Sequence, residues 1–358
     1  MDIEPFGLER WFGQYEHGAD IMLAESGIRP LDSERFDTDP GELNYVIPTD
    51  GDPEFRDEIG ERYGRGKDEV CFTCGTQEAN LLIFLSLLDE GDHAVVVTPT
   101  YQALQSVPDA VGDVTRVWLS EGDWRLDVDA VADAMREETK LVVLNNPNNP
   151  TGRYHDEAKV QELYDLAAEN EAYLLCDEVY RLLDDDPLPP VASLGEWGIS
   201  TTSLTKAYGL AGLRFGWIAG PEDVVQQAVE WKDYTTISPP IFGQHVAKQA
   251  LGEQEDEILA ENRELAKTNR DIVREFVEEH DLEWYDPVGV NGFVSVPEGF
   301  ADAREFCVAV VEEESVVLAP GDLFGFENYW RLGFGLPTAE LEEGLERVAR
   351  VIERGGTN

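Results

Sequence analysis

The chain has 358 residues, of which 42% are hydrophobic, and this length is sufficient for two domains. Its charge balance is extreme, because 74 Asp and Glu stand against 27 Lys and Arg, giving a formal net charge of −47. This excludes nucleic acid as a partner, since nucleic-acid binding requires a basic surface. The carboxylates occur along the whole chain and lysines are few. We therefore interpret the surface as adapted to molar salt, where the Debye length is roughly 3 Å and repulsion is screened.

The start of the chain predicts a cytoplasmic protein. Met1 is followed by Asp-Ile-Glu-Pro, which is not the basic and then apolar pattern of a signal peptide. Apolar runs stay well short of the roughly 20 residues that a membrane helix requires, so we expect no membrane partner. Cys71 and Cys74 form a C-x-x-C pattern, which suggests a redox or metal site, but no second Cys or His pair lies nearby in the sequence. We interpret them as small buried thiols and expect no metal.

Strands and helices alternate through the middle of the chain. The predicted strands are Val70–Cys74, His93–Val97, Arg116–Leu119, Leu141–Leu144, Tyr173–Cys176, Ile199–Leu204 and Phe215–Ala219. The helices between them include Gln77–Leu88, Leu126–Arg136 and Asp156–Asn170. Such alternation indicates βαβ units, so we predict an α/β fold with a mainly parallel, seven-stranded sheet flanked by helices.

The last third of the chain has a different pattern, which indicates a smaller α+β domain. Residues from Ile241 to about His280 are nearly all helical in pattern. Short strands (Gly292–Val296, Ser315–Leu318, Tyr329–Phe334) and helices (Ala301–Glu313, Glu340–Arg354) follow. We predict a large domain at 41–250 and a small domain at 251–358, with residues 1–40 covering the active site or joining the small domain.

Unusual residues cluster where the predicted strands end, which is where open α/β sheets bind ligands. Gly75-Thr76 precedes a helix whose free N–H groups favour a phosphate, although a simple glycine turn has the same pattern. Residues 145–152, Asn-Asn-Pro-Asn-Asn-Pro-Thr-Gly, contain more turn formers than one turn needs. Asp177 ends a buried strand, where its carboxylate either binds a ligand or caps the following turn. Lys206 follows another strand, where burial would lower its pKa and suit Schiff-base chemistry, although most lysines lie on the surface.

Taken together, these four segments resemble one family, and two of them are highly specific. Asn-Asn-Pro-Asn-Asn-Pro-Thr-Gly at 145–152 and Ser-Leu-Thr-Lys…Gly-Leu-Arg at 203–214, in this order and spacing, are similar to the motifs of fold-type-I pyridoxal-phosphate enzymes, specifically the class I/II aminotransferases. The resemblance extends from about residue 44 to residue 331. It implies the aspartate-aminotransferase fold and pyridoxal 5'-phosphate as cofactor.

The resemblance also implies catalytic roles. Lys206 would carry the cofactor as a Schiff base and then move the substrate proton. Asp177 would pair with the ring nitrogen and keep it protonated, so that the ring acts as an electron sink. Tyr101 would stack on the ring. Arg331 would bind the substrate α-carboxylate through a bidentate pair, with Asn149 beside it.

The remaining cofactor contacts follow from the same resemblance. Tyr180 and Asn149 would hydrogen-bond the phenolic oxygen of the ring. The expected phosphate ligands are Gly75, Thr76, Ser203 and Arg214. Tyr45, in Asn44-Tyr45, would reach the phosphate of the neighbouring subunit, which implies a homodimer with shared active sites.

Two further positions concern the substrate. Gly27 lies in Ala24–Ile28, a segment that often sets specificity and that here resembles a subgroup similar to capreomycidine synthase, which acts on a hydroxylated arginine. In dicarboxylate aminotransferases an Arg from the partner subunit, six residues before an Asn-Pro-Pro, reads the distal carboxylate. The corresponding residue before Ser238-Pro239-Pro240 is Asp233, so we predict a cationic substrate side chain unless Asp233 is simply one more surface carboxylate.

The resemblance thus predicts an enzyme that moves an amino group between an amino acid and a 2-oxo acid. A pyridoxal-phosphate lyase or cyclase on the same scaffold is the alternative, because fold does not fix reaction. A pyridoxal-phosphate-binding regulator is a third reading, but such proteins carry a basic DNA-binding domain that this acidic sequence does not contain.

Overall fold

The structure is a computed structural model that describes residues 3–355. Twelve strands lie in this part of the chain: β1 (Ile21–Met22), β2 (Val70–Thr73), β3 (His93–Thr98), β4 (Asp113–Trp118), β5 (Thr139–Asn145), β6 (Tyr173–Asp177), β7 (Gly198–Ser203), β8 (Gly216–Ala219), β9 (Asn291–Ser295), β10 (Val316–Val317), β11 (Ala319–Pro320) and β12 (Tyr329–Gly333). The α-helices of the same residues are α1 (Gly7–Tyr15), α2 (Pro53–Glu61), α3 (Thr76–Leu87), α4 (Ala103–Val111), α5 (Val128–Ala134), α6 (Glu157–Glu169), α7 (Glu222–Lys232), α8 (Ile241–Ala250), α9 (Glu255–Glu279), α10 (Ala303–Glu314) and α11 (Thr338–Arg354).

Seven strands form one sheet in the order β2-β8-β7-β6-β5-β3-β4. The ladders from β7 through β4 are parallel, whereas β8 is antiparallel to both of its neighbours. Strands β3, β5 and β6 are almost continuously apolar and buried, as expected for strands covered by helices on both faces. The predicted α/β fold with a mainly parallel, seven-stranded sheet is confirmed.

The antiparallel direction of β8 determines the position of Arg214, one of the predicted phosphate ligands. Because β8 runs against β7, its first residue, Gly216, pairs with Ser203 at the carboxyl end of β7. Arg214, just before β8, is therefore held at the same edge as the ends of β5, β6 and β7. It adopts a left-handed backbone conformation with φ 51°.

Two smaller sheets lie outside this core. Strands β11, β12 and β9 form an antiparallel sheet in that order, and β1 pairs in parallel with β10. The β1–β10 ladder therefore attaches the N-terminal segment to the C-terminal part of the chain. The domain boundaries at residues 40 and 250 stay a prediction.

Several helices were not predicted. Helix α4 contains Pro108, which breaks the expected helical pattern, and α1, α2 and α7 were also absent from the prediction. The long helical stretch from Ile241 to His280 is two helices, α8 and α9, separated by a short break at residues 251–254.

Across residues 3–355 we find no helix that is both long and apolar enough to cross a membrane. The four cysteines are free thiols: three are buried and Cys74 is partly exposed. Within the same residues no group of His, Cys, Asp and Glu has the arrangement of a metal site.

The net charge of −47 leads to a prediction about salt. We expect the melting temperature to rise steeply as KCl increases from about 0.1 M to molar concentration, because the Debye length shrinks from about 10 Å to about 3 Å. Thermal unfolding in a KCl series would measure this. Sucrose, which is excluded from protein surfaces but does not screen charge, is the control. A melting temperature that is flat in KCl, or that rises equally in sucrose, would contradict salt adaptation through screening.

Candidate active site

A cavity of about 320 Å³ opens at the carboxyl edge of the large sheet. It brings together side chains from the ends of β5, β6 and β7, from the start of α3 and from the N-terminal segment. The lining residues are Glu25, Ser26, Thr76, Gln77, Asn80, Tyr101, Asn145, Asn149, Asp177, Val179, Tyr180, Ser203, Thr205, Lys206, Ala211 and Arg214. Eight of the positions predicted from sequence are therefore in one cavity.

One end of the cavity is built to receive an anion. Gly75 has φ 78° and immediately precedes α3, whose first turn presents free N–H groups. A Cβ at Gly75 would lie 2.8 Å from Nη2 of Arg214, so glycine is what allows the guanidinium to approach the backbone. The Oγ1 of Thr76 is buried and has no hydrogen-bond partner among the described residues. An oxyanion here would supply an acceptor for both groups.

The cavity also contains a buried carboxylate. Oδ2 of Asp177 accepts a hydrogen bond of 2.9 Å from Asn80, and Oδ1 accepts one of 3.3 Å from the backbone N–H of Val179. Burial raises the pKa of Asp177 to about 6, although the hydrogen bond from Asn80 opposes this. A cationic group beside Asp177 would lower this pKa again and so favour the ionised carboxylate. Asn80 is itself held by Thr201, whose hydroxyl donates to Oδ1 of Asn80 at 2.6 Å.

Lys206 points into the cavity and has an anionic partner. Its Nζ lies 3.0 Å from Oε1 of Glu25 and 3.3 Å from Oγ of Ser26. Burial acts to lower the pKa of Lys206, but the carboxylate of Glu25 outweighs burial, so the pKa lies above its ordinary value. The predicted lowering of this pKa is therefore wrong for this arrangement, because the sequence did not reveal the ion pair. In turn, Lys206 lowers the pKa of Glu25.

Arg331, on β12, is almost completely buried beside the cavity. Its Nη1 donates to Oδ1 of Asn149 at 2.9 Å, and its Nη2 donates to the carbonyl of Ala24 at 2.6 Å. Asn149 is positioned from the other side, because its backbone N–H donates to Oδ1 of Asn145 at 2.7 Å. The Nε of Arg331 has no hydrogen-bond partner among the described residues, which leaves a donor for a ligand.

We expect Arg331→Ala to raise the Michaelis constant for amino acids strongly and to change cofactor affinity little. Loss of a charge-assisted contact costs on the order of 2–5 kcal/mol when the partner charge stays buried. Steady-state kinetics and cofactor titration would measure the two effects separately. Arg331→Lys is the matched variant, since it keeps the charge but loses the planar fork. An unchanged Michaelis constant for every amino acid tested would contradict the role of Arg331.

Two tyrosines border the same space. Tyr101 is half-buried, its ring lies 5.0 Å from that of Phe6, and burial raises the pKa of its phenol to about 12. Tyr180 is almost completely buried. The phenol of Tyr101 therefore remains a neutral hydrogen-bonding group at physiological pH, and Tyr101 presents an aromatic surface to the cavity.

The N-terminal segment closes one side of the cavity and is tightly held there. The N–H of Gly333 donates to the carbonyl of Leu23, and the N–H of Arg29 donates to the carbonyl of Gly335, both at 2.6 Å. A Cβ at Gly333 would overlap the carbonyl of Glu25. A Cβ at Gly27 would lie 3.1 Å from Oε1 of Glu25 and 3.8 Å from Nζ of Lys206. Gly27 thus borders the ion pair, and a side chain at this position would press on the carboxylate of Glu25.

Two predicted site residues lie outside the cavity of their own chain. Tyr45 is 67% exposed, between the exposed Leu43 and Ile47. Asp233 is exposed at the end of α7. Both were predicted to act on a neighbouring subunit, and those roles stay predictions.

Glu78, for which the sequence offered no explanation, connects the start of α3 to the segment that carries Asp233. Its Oε2 accepts a hydrogen bond of 2.6 Å from the N–H of Cys74. Its Oε1 accepts hydrogen bonds from the hydroxyls of Thr235 and Thr236 at 2.5 and 2.7 Å. The buried Lys232 donates to Thr236 at 2.8 Å. We call Glu78, Thr235, Thr236 and Lys232 the Glu78 clamp.

Sequence reasoning missed several residues that shape this site. Asn80 had no signal, because it lies inside a helix whose apolar pattern dominates. Glu25 lies in a segment that was singled out, but one carboxylate among 74 acidic residues is not conspicuous. Asn145 belongs to a recognised motif, although its particular role in holding Asn149 required coordinates.

Comparison with known proteins is consistent with this site. Residues 13–348 match the model of the family described as Aminotransferase class I and II. The chain is 32% identical to capreomycidine synthase from Streptomyces vinaceus, over 96% of this chain and 93% of that protein. A PLP-dependent aminotransferase from Streptococcus suis superposes with a TM-score of 0.94 at 31% identity, covering 100% of both chains. The PLP-dependent cyclase OrfR superposes with a TM-score of 0.88 at 26% identity, covering 99% of this chain and 98% of that one.

Proposed function

Since the chain belongs to the family of class I and II aminotransferases, whose cofactor is pyridoxal 5'-phosphate, we propose that it transfers an amino group between an amino acid and a 2-oxo acid. The observation that carries this proposal is a single cavity lined by Lys206, Asp177 and Asn149, with the buried guanidinium of Arg331 hydrogen-bonded to Asn149. A reactive amine, a carboxylate and a buried guanidinium are the groups that this reaction requires.

The residues fit the cofactor. Bound pyridoxal phosphate supplies an electron sink that stabilises negative charge at the substrate Cα. The glycine cradle at Gly75 and the unpartnered hydroxyl of Thr76 suit its phosphate, together with Ser203 and Arg214. Asp177, whose pKa is raised by burial, suits a protonated ring nitrogen. Tyr101 offers the face of its ring, and Asn149 and Tyr180 can donate to a phenolic oxygen.

Each remaining step belongs to residues of the chain. Arg331 binds the substrate α-carboxylate and thereby fixes the orientation of the Cα–H bond. Lys206, once released as an amine, would accept the proton from the substrate Cα and donate it to C4′ of the cofactor. Ser26 and Glu25 cover the Lys206 side of the cavity.

A lyase or cyclase is the second candidate. It is favoured by the 32% identity to capreomycidine synthase over nearly the whole chain and by the close superposition of the cyclase OrfR. The same proton removal at Cα serves both outcomes, and the groups that decide between them are those that contact the substrate side chain.

Half-transamination distinguishes the two candidates. The holoenzyme is mixed with one amino acid at a time, without a 2-oxo acid, and its absorbance is recorded. An aminotransferase accumulates the pyridoxamine form of the cofactor and releases one equivalent of 2-oxo acid. A lyase or cyclase returns the starting spectrum and releases a different product. Absence of the pyridoxamine form with every amino acid in a broad panel would overturn the aminotransferase proposal.

The protein is further proposed to act as a homodimer with shared sites. Support comes from the exposed apolar residues around Tyr45 and Tyr234, which a second copy would cover. In such a dimer Tyr45 would contact the cofactor phosphate of the partner subunit, and Asp233 would face its substrate.

The Asp233 hypothesis makes a prediction about substrate charge. With a panel of aspartate, an aromatic amino acid, arginine and ornithine, we expect the cationic amino acids to be preferred, because a carboxylate repels an acidic side chain. Asp233→Ala should reduce that preference, whereas Glu230→Ala, an exposed carboxylate in the last turn of α7, should not. A strong preference for aspartate, or a cationic preference that Asp233→Ala leaves unchanged, would contradict the role of Asp233.

A further inference from the structure

The carboxylate of Glu25 is the one acidic group of the cavity that the proposed reaction does not use. The charged groups at the cavity are Glu25, Asp177, Lys206, Arg214 and the adjacent Arg331. With cofactor and substrate bound, the phosphate pairs with Arg214, the ring nitrogen with Asp177 and the substrate α-carboxylate with Arg331. Lys206, the present partner of Glu25, is bonded to the cofactor. Glu25 is then left without a cation.

Glu25 is fixed at the place where a substrate side chain can reach it. About half of its side-chain surface is exposed, and it lines the cavity. Its backbone is held on both sides, because Ala24 accepts from Arg331 and the carbonyl of Glu25 lies against the bare Cα of Gly333. The backbone at Glu25 is therefore held beside the cavity, which keeps the carboxylate within reach of a ligand there.

We propose that Glu25 selects substrates with a cationic side chain: a guanidinium or ammonium of the substrate pairs with Glu25, so that Lys206, once the substrate has released it from the cofactor, is left as a neutral amine that can accept the Cα proton. This inference rests on the proposed function. With a neutral or acidic substrate, Glu25 pairs instead with the released Lys206, whose amine is then held in its protonated form and cannot act as a base. A cationic side chain on the substrate therefore increases both the affinity for the substrate and the rate of proton removal from Cα.

The charged and titratable groups that act on Lys206 are Glu25, Asp177, Tyr101, Tyr180 and Arg331. Burial keeps the phenol of Tyr101 neutral, and Arg331 opposes protonation of Lys206. Asp177 is engaged by Asn80. Within the described residues, Glu25 is the carboxylate in direct contact with Nζ of Lys206, so it is the group whose removal changes the amine most.

A binding experiment tests selection without turnover. Holoenzyme is reduced with borohydride, which fixes the cofactor on Lys206, and the dissociation constants of 5-guanidinopentanoate and hexanoate are measured by calorimetry in the KCl concentration that keeps the protein folded. We expect the guanidinium ligand to bind roughly tenfold tighter or more, since a charge-assisted hydrogen bond is gained. Glu25→Gln should abolish this difference, whereas Glu9→Gln, a carboxylate of the same N-terminal segment outside the cavity, should preserve it.

A second measurement follows Lys206 in the cofactor-free protein. Recombination with pyridoxal phosphate requires the neutral amine, so Glu25→Gln should accelerate it at pH 8 and move its pH midpoint downward. Equal binding of the two ligands by wild type, or a guanidinium preference that survives in Glu25→Gln, would overturn the inference, as would an unchanged midpoint. Failure of borohydride to label Lys206 would instead refute the proposed function, so the two failures are distinguishable.

Discussion

Lys206→Ala is expected to abolish turnover while leaving the fold intact. Two contributions disappear together, namely the covalent attachment of the cofactor and the base that removes the substrate proton. Proton transfer by a positioned side chain alone contributes about 10²- to 10⁴-fold, so we expect a loss of roughly 10⁴-fold or more. Steady-state kinetics would measure the loss, and circular dichroism would show that the protein is folded.

The attachment site can be tested independently of activity. After borohydride reduction of the wild-type holoenzyme, peptide mapping should find the cofactor on the peptide that contains Lys206. Lys267→Ala is the matched control, because Lys267 is exposed on α9 and should retain full activity. Label on any of the other six lysines, or substantial turnover by Lys206→Ala, would refute the assignment.

Asp177→Asn is expected to bind the cofactor and lose catalysis. Asparagine keeps the shape of the side chain but cannot hold a proton on the ring nitrogen, so the electron sink is weakened. Removing one partner of a buried charge pair costs about 2–5 kcal/mol, which corresponds to roughly 30- to 5,000-fold in rate. Single-turnover kinetics with saturating amino acid would measure the loss. Comparable turnover in the variant would show that Asp177 is a structural cap.

The same variant predicts a pH effect on the cofactor-free protein. Burial raises the pKa of Asp177 from 3.8 to about 6, so the folded state holds this proton more tightly than the unfolded chain does. Its contribution to stability is therefore complete below about pH 4 and is lost as the pH rises through 6. The loss is on the order of 3 kcal/mol. The difference in unfolding free energy between wild type and Asp177→Asn, measured from pH 4 to 8, isolates this group from the other carboxylates.

The sequence predicted the sheet well because its strands carry a strong local signal. Strands β3, β5 and β6 are continuous apolar runs closed by turn residues, and their ends place Asn145 and Asp177 side by side. Arg214 was identified through its motif, although its position depends on the antiparallel direction of β8, which no local pattern encodes. The helix α4 was missed because Pro108 interrupts it.

Interactions between distant segments were beyond sequence reasoning. Glu25 and Lys206 are 181 residues apart, and nothing in either segment indicates that they pair. This contact reverses the expected direction of the shift in the pKa of Lys206. The same is true of Asn80 and Asp177, which are 97 residues apart and meet because the helix α3 packs against β7 and β8.

The Glu78 clamp has an evolutionary consequence. Hydrogen bonds to Glu78 hold Thr235 and Thr236, which follow α7 in the chain. Asp233 and Tyr234, the two residues just before them, are exposed. Substitutions at those two exposed positions leave the hydrogen bonds of Glu78 intact, so they do not disturb the start of α3 where Gly75 and Thr76 lie. Asp233 and Tyr234, which are proposed to face the substrate, can therefore change in evolution while the anion-binding end of the cavity is preserved. The clamp separates the part of the site that can diversify from the part that has to stay constant.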